Sequence, residues 1–539
     1  MTTSERLSFW VDWERDGTYD HSLSNITPYV LTADWTLGFQ EPYQLIGGPS
    51  TLDLTLDNSN GDWNILKTGA LFNGVLLRDT LIQIRFFHNA ATWYLGTYKL
   101  KHISIAPGNK GERIVRLSCA DWHADLMGTV YDPPLTLNTT TGAAIQAAFD
   151  NGGVPAFPLA SMNFIVDGST LDETTILPDY SDYLNTVAGQ TTLEYVGDNI
   201  DKNGEGTTLF SFIEEMCISE FGGRFRFQVN TTNGKPYYSY YGRTTLASLA
   251  DDENTHTIDI SDFRDAEYVY GDAQCNQLSI TYYPRTVGDA LSTVATQDRA
   301  MSIPGLGTVE FEVRYQDPNV PGAECAAIDI VQPVATTDYT GNLASDGTGE
   351  DYTSNLFISV ENLTNAAKVR VSNTALGTVY LTSFRIRGTP LTAHQPVTIS
   401  SADGDSIFNY GIYKKTMTIA GTDDEELVRA FADWYVRMRG IPYAEYKSIT
   451  FDYTDETDAG LATYVYEPLS DTQPLIIQDN WTEDTADASE YWVCGMRCSV
   501  YNKMWEVTLI LENYKNMAGF WQLESSVLGV LDQTTKLAF

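Results

Sequence analysis

One small β-unit is written twice in this chain, once near each end. The first copy runs from Trp93 to Ile105, turns through Gly108–Gly111, and returns from Arg113 to Asp121. The second runs from Tyr491 to Tyr501, turns near Asn502, and returns from Trp505 to Asn513. Each copy has a strand with an early glycine, a tight polar turn, and an alternating apolar strand ending in an acid or its amide. A chain with two like β-units carries pseudo-symmetry. A ring of such chains shows twice the symmetry order of its chain count, which points to an assembly protein before an enzyme.

The rest of the chain reads as mainly β, with small α+β modules. Tyrosine (32) and tryptophan (11) are frequent, and short strand patterns recur between turn signals. Leu52, Leu54 and Leu56 alternate on one face of a strand, and Asp57–Gly61 supplies the turn after it. With a mixed strand at Ile26–Leu37, a strand at Leu81–Phe86 and the first copy of the unit, residues 1–132 make a first β-barrel. Residues 133–255 form an α+β module. It has a short helix over Thr141–Asp150, a second helix through Leu209, Phe210, Ile213, Met216 and Cys217, and a hairpin around Asn233-Gly234. Residues 256–301 begin a second barrel, and 302–390 are an inserted β-sandwich with an exposed Thr/Ser/Gly/Asp-rich loop at 335–355. Residues 391–515 complete the second barrel together with a helical module at about 422–455, and 516–539 are a C-terminal tail.

The best helix spans Asp423–Arg439. Thr422 and Glu425 have capping-box spacing, Gly440 stops the helix, and Leu427, Phe431, Trp434, Tyr435 and Met438 form its apolar stripe. The order helix, glycine, strand recurs at 207–229 and 422–453, which extends the duplication to the helical modules.

Composition excludes several classes. A hydrophobic fraction of 43% is ample for packed cores. No apolar run approaches the length of a membrane span, so no transmembrane segment is expected. The N-terminus lacks a signal-peptide layout. With 71 acidic residues against 33 basic, a formal charge of −38 argues against specific nucleic-acid binding through phosphates. It is compatible with DNA in transit past a repelling wall. The six cysteines at 119, 217, 275, 325, 494 and 498 are too dispersed for a disulfide framework and read as reduced and buried. Cys494 and Cys498, four apart on a strand, share a face.

No catalytic, cofactor or metal residue is assigned. The nucleophile elbow, the zinc-protease helix and the phosphate loop are all missing from the sequence. His123, between Asp121 and Asp125, reads as a packing residue beside Trp122 rather than an oriented base. Asn199–Glu205 imitates half of an EF-hand loop, but its closing position is Phe210. The acids at Asp251–Asn254 and Ser401–Asp405 read as solvated loops. Tyr238 and Tyr240 share one strand face and Tyr237 and Tyr241 the other, the second face reading as an inter-subunit contact or, alternatively, a sugar platform.

The ordered set Val11–Trp13 with Gly17, Ile26–Val30 with Trp35 and Gly38, Leu52–Gly61, Leu95-Gly96 and Leu117–Asp121 resembles the tail-tip or baseplate hub proteins of tailed bacteriophages. Asn362–Ala367 with Val379–Leu391 looks like their inserted domain, and Trp521–Gly529 like their ending. The resemblance implies tail-tube-like barrels and a homotrimer that presents six barrels to a hexameric tube. It implies as partners a tail-tube or distal tail protein, a tape-measure protein in the lumen, and fibres or a spike outside. It places the chain in the virion, at the distal end of the tail, closing the tube and opening for DNA ejection. The competing readings are a β-rich polysaccharide-binding protein or depolymerase, and a cell-surface adhesin.

Overall fold

A computed structural model describes residues 6–513, apart from 16, 65–67, 73–77, 107–112, 132, 134, 152–183, 187–188, 190, 198–206, 243–255, 298, 455–456, 468, 470–474, 479–488 and 502–503. The expected turns at Gly108–Gly111 and Asn502 and the ending Trp521–Gly529 lie outside the described residues.

The chain is mainly β. Its largest element is a sheet of twelve strands. The first six are β1 (Leu7–Asp12), β2 (Val30–Gly38), β3 (Thr51–Asp57), β4 (Leu81–His88), β5 (Ala91–Ala106) and β6 (Ile114–Ala120). The second six are β7 (His256–Asp259), β8 (Asp265–Tyr270), β9 (Ala444–Asp452), β10 (Leu475–Gln478), β11 (Ser489–Tyr501) and β12 (Met504–Asn513). The first half pairs in the order β1-β4-β5-β6-β3-β2 and the second in the order β7-β10-β11-β12-β9-β8. The halves therefore repeat strand for strand, in space and in chain order. One difference is that β7 runs parallel to β10 where β1 is antiparallel to β4. A single apolar core runs through both halves. It includes Leu52, Leu54, Leu56 and Ile84 from one and Ile449, Phe451, Val507 and Leu509 from the other.

The remaining strands form smaller layers. Hairpin Arg224–Val229/Pro236–Tyr241 packs on helices Thr141–Asn151 and Leu209–Ser219. Strand Gln277–Tyr282 lies between Val397–Ala402 and Lys414–Ile419, beneath helix Glu425–Arg439. Around the expected insertion, the long strand Val379–Ala393 runs past residue 390 and pairs with five shorter strands, of which Arg285–Val287 and Ser292–Gln297 precede residue 302. That sheet faces a second one, Thr308–Arg314, Ala366–Asn373 and Leu356–Asn362, across one core.

Four sequence expectations need correction. The loop expected at 335–355 contains strand Tyr339–Asn342, whose Tyr339 is buried and donates its hydroxyl to the Leu356 carbonyl at 3.0 Å. The long helix starts at Glu425, and its cap is Asp424, which accepts from the Leu427 N–H at 2.9 Å. Thr422 sits too early and instead accepts from the Asp424 N–H. The buried stripe of this helix is centred on Val428, Phe431, Ala432, Tyr435 and Val436. The helix–glycine–strand order is not a repeated module. Strand β9 holds the place in the second half that β3 holds in the first, whereas Arg224–Val229 lies outside the large sheet. Finally, Cys494 and Cys498 face opposite ways. Cys494 is the extra residue of a bulge where β11 pairs with β12, and one inserted residue switches every later side chain to the other face. All six cysteines are buried and free.

The halves meet where β2 lies antiparallel to β11, from Thr32 opposite Tyr501 to Gly38 opposite Gly495. This seam is tight. Gly38 has φ +69°, which glycine adopts without strain. A Cβ on Gly495 would fall inside the carbonyl oxygen of Phe39. Phe39 itself donates its N–H to the Cys494 carbonyl at 3.1 Å. Ser499 donates to the Asp34 carboxylate at 2.6 Å, and Tyr98 donates to the Thr36 carbonyl at 3.1 Å. The Trp35 and Trp505 rings lie 5.9 Å apart beneath. Gly495→Ala is expected to cost about 2–3 kcal/mol through this overlap. Gly377→Ala, where a Cβ meets nothing within 4 Å, is expected to cost far less. Urea denaturation of the two variants checks this, and equal losses would contradict a tight seam.

Candidate assembly interface

The seam is buttressed from behind. Arg224 pairs with the buried Glu512 carboxylate, and Arg226 donates to the Leu469 carbonyl at 2.7 Å. The Arg226 guanidinium lies over Tyr241 (5.4 Å) and Trp492 (5.0 Å). Tyr43 donates its hydroxyl to Glu445, whose carboxyl is pushed up by burial. Arg439 stacks on Tyr43 (4.5 Å) and Tyr435 (5.0 Å). Breaking a buried ion pair by removing one partner is costly, because the other charge stays desolvated. These groups therefore fix the angle between the halves.

The repeat shows which surfaces the seam uses. Ala33 lies opposite Leu54 and Ala266 opposite Ile449, while Leu54 and Ile449 lie opposite Leu117 and Leu509. Ala33–Gly38 is thus the counterpart of Ala266–Gly271. Both runs read alanine, acid, aromatic, two residues, glycine, and Gly271 matches Gly38 with φ +74°. In the same way, His102–Ala106 of β5 is the counterpart of Gly495–Ser499 of β11, because each segment begins just after a bulge against the following strand.

Within the chain, β2 is covered by β11. The counterpart surfaces are open: among the described residues, neither the outer edge of β8 nor the matching edge of β5 over His102–Ala106 has a strand partner. Tyr270 is 70% exposed where its counterpart Leu37 is 2% exposed. Asp265 and Glu267 stand exposed along β8, and Arg116 stands exposed opposite Ser104 of β5. Apolar side chains gather at the same end of β8. Gly271 donates its N–H to the Tyr443 carbonyl, and the Asn276 amide donates to the Gly411 carbonyl at 2.7 Å. These bonds hold the segments that carry exposed Phe408 (89%), Ile412 (66%) and Ile441 (64%) against Gly271 and Asn276, which follow β8. An unpaired strand edge beside exposed apolar groups marks a binding surface.

The residues weighed in the sequence do not converge on a site. Tyr238 and Tyr240 are core residues, as their shared face requires. Tyr241 is buried against Phe39 and Trp492 of its own chain, so the expected inter-subunit tyrosine face is an internal contact. Tyr237 is hydrogen-bonded to Gln228. Asp403 caps helix Gly404–Tyr410 by accepting from the Ser406 N–H. Asn199–Glu205 and Asp251–Asn254 lie outside the described residues. Among the described residues, no group of three His, Cys, Asp or Glu could hold a metal ion, and no helix is long and apolar enough to cross a membrane. The open edge of β8 was missed in the sequence, although the Ala–acid–aromatic–x–x–Gly repeat was there to find it.

His123 opens a short helix with its ring among Phe210 (5.4 Å), Phe225 (5.6 Å) and Tyr238 (6.0 Å). Asp121 accepts the backbone N–H of His123 at 2.9 Å, and Asp125 pairs with Lys99 and Lys101, so neither carboxylate orients the ring. Burial pushes the imidazole down to about 3. Below pH ~6.5 the unfolded chain binds a proton that the folded chain refuses. This part of the stability is therefore whole above that pH and lost as the pH falls toward 3. At pH ~5 the loss is about 2 kcal/mol. Burial raises Asp121 to about 7, which acts in the opposite sense and is common to wild type and variant. His123→Phe is expected to lose less stability than wild type between pH ~7.5 and pH ~5. Denaturation midpoints at both values test this, and equal losses would contradict it.

No family model matches the chain, and no curated protein matches it. Solved structures do. A tail protein from Neisseria meningitidis MC58 is 9% identical, with 94% of this chain and 95% of that one covered and a TM-score of 0.42. A 43 kDa tail protein of prophage MuSo2 from Shewanella oneidensis is 9% identical, with 95% and 99% covered and a TM-score of 0.44. A prophage tail protein from Listeria monocytogenes EGD-e is 8% identical, with 94% of each chain covered and a TM-score of 0.36. Over most of its length the chain is similar to solved phage tail and baseplate proteins.

Proposed function

We propose that this chain is a structural hub of a phage-type tail, closing the distal end of the tube as a ring of three copies. One observation carries the reading. The two halves repeat strand for strand, the β2–β11 seam joins them within the chain, and the counterparts of that seam, β8 and β5, are left open. A second copy completes the pattern. Its β5 lies against β8 of the first in the register of the internal seam, with Glu267 opposite Ala106 and Gly271 opposite His102. Exposed Asp265 and Glu267 of β8 then approach the strand edge beside Arg116, which lies opposite Ser104 of β5. Repeating the step closes a ring in which internal and intermolecular seams alternate. Three chains give six units, the number that the sequence resemblance implies for docking on a hexameric tube.

In this reading the ring docks against a tail-tube or distal tail protein, a tape-measure protein occupies the lumen, and fibres or a spike attach outside. The division at residues 132, 255, 301, 390 and 515 is part of the same proposal, with the 302–390 insertion as an attachment module. The charge of −38 suits a wall that DNA passes without adhering. In this reading the role is mechanical rather than enzymatic.

Gold-labelled antibody to this chain, viewed by electron microscopy on particles from its source, tests the location. Label confined to the distal tail tip is the expected result. Label spread along the tail or on cell surfaces would contradict it.

A further inference from the structure

The face of β4 and β5 turned away from the core carries a cavity of about 320 Å³. Ile82, Ile84 and Phe86 point into the core, so Gln83 and Arg85 point the other way. The tip of hairpin 224–241 closes one side. Tyr94 donates its N–H to the Thr231 carbonyl at 2.9 Å, and Thr97 donates its hydroxyl to the Gly234 carbonyl at 3.1 Å. Gly234, with φ +76°, approaches so closely that a Cβ would overlap the Gln83 amide. The Gly17–Tyr19 loop forms the opposite wall.

Arg85 is the unusual group in this cavity. Its guanidinium carbon lies over three rings, 4.4 Å from the centre of Trp10, 4.9 Å from Tyr19 and 5.5 Å from Tyr94. Its Nε donates to the Gln83 amide oxygen at 2.7 Å. Among the described residues no carboxylate pairs with it, in a chain with 71 acidic residues against 33 basic. Burial pulls its pKa down. Rings over the guanidinium faces leave its edge for a partner, and that edge matches a carboxylate in two parallel hydrogen bonds. The size is at the small end of ligand sites, enough for one sugar ring. Thr18 and Asn233 also line the cavity and suit ring hydroxyls, and Lys235 adds a second cation to the lining.

We propose that this cavity binds a small carboxylate ligand of the uronic-acid class, with Arg85 as the partner of the carboxylate. The inference goes beyond the assembly role and does not depend on ring closure. Calorimetric titration of the full chain with glucuronate tests it, with glucose and the methyl ester of glucuronate as neutral probes of similar size. Saturable binding of glucuronate, and binding about tenfold or more weaker for both neutral probes, is expected. Arg85→Gln, checked for folding by circular dichroism, should weaken glucuronate binding by a similar factor. Equal binding of the ester, no saturable binding of glucuronate, or unchanged binding by a folded Arg85→Gln variant would overturn it. The comparison of probes on the unmodified protein stands even if that variant fails to fold.

Discussion

The close approach of two backbones at Gly38 and Gly495 is the constraint on which the rest of the molecule depends. Two six-stranded units could have hung as separate bodies on a linker. Instead β2 of one pairs with β11 of the other, and the sheet runs on through both. The approach is possible because neither glycine presents a side chain where the carbonyls of Phe39 and Cys494 pass. Once the seam is set, the core becomes continuous across both halves. The Arg224–Glu512 pair and Arg226 then have buried places to occupy, and Arg439 stacks on Tyr43. Buried charges of this kind hold an angle firmly because any opening strands one partner.

Much of this architecture was legible in the sequence. Strands β5, β6, β11 and β12 were legible because β6 and β12 alternate apolar residues and each follows a long strand across a short polar stretch, although Gly96 of β5 and Gly495 of β11 are not counterparts in the register. Helices Thr141–Asn151 and Leu209–Ser219 followed from apolar spacing. The strand that matters most for assembly was the hardest to read. Strand β8, Asp265–Tyr270, is short and half polar, and its likeness to β2 lies in Ala33–Gly38 against Ala266–Gly271 rather than in hydrophobic alternation. Bulges were invisible for a physical reason. One inserted residue leaves composition unchanged while turning Cys494 and Cys498 to opposite faces. The helix–glycine–strand pattern misled because local signals for capping and strand formation do not encode which sheet a strand joins.

Among the described residues, the histidine and carboxylates at 121–125 do not converge on a site. The His123 ring lies among aromatic rings, and the nearby Asp125 is paired with two lysines. What stays exposed is an edge. Strand edges are ordinarily blunted or covered, since they invite pairing with another chain. Here one edge is covered by the chain itself, and among the described residues its counterpart has no strand partner and ends in exposed Tyr270. In the proposed ring, a second copy of the chain covers that edge.

An engineered cross-link tests that claim most directly. Glu267→Cys and Ala106→Cys in one chain would face each other across the intermolecular seam, and the six native cysteines are buried and out of reach. Mild oxidation should produce a covalent species of three times the 59.9 kDa chain mass, released by reductant. Cysteines that remain reduced, or that close within a single chain, would contradict the account.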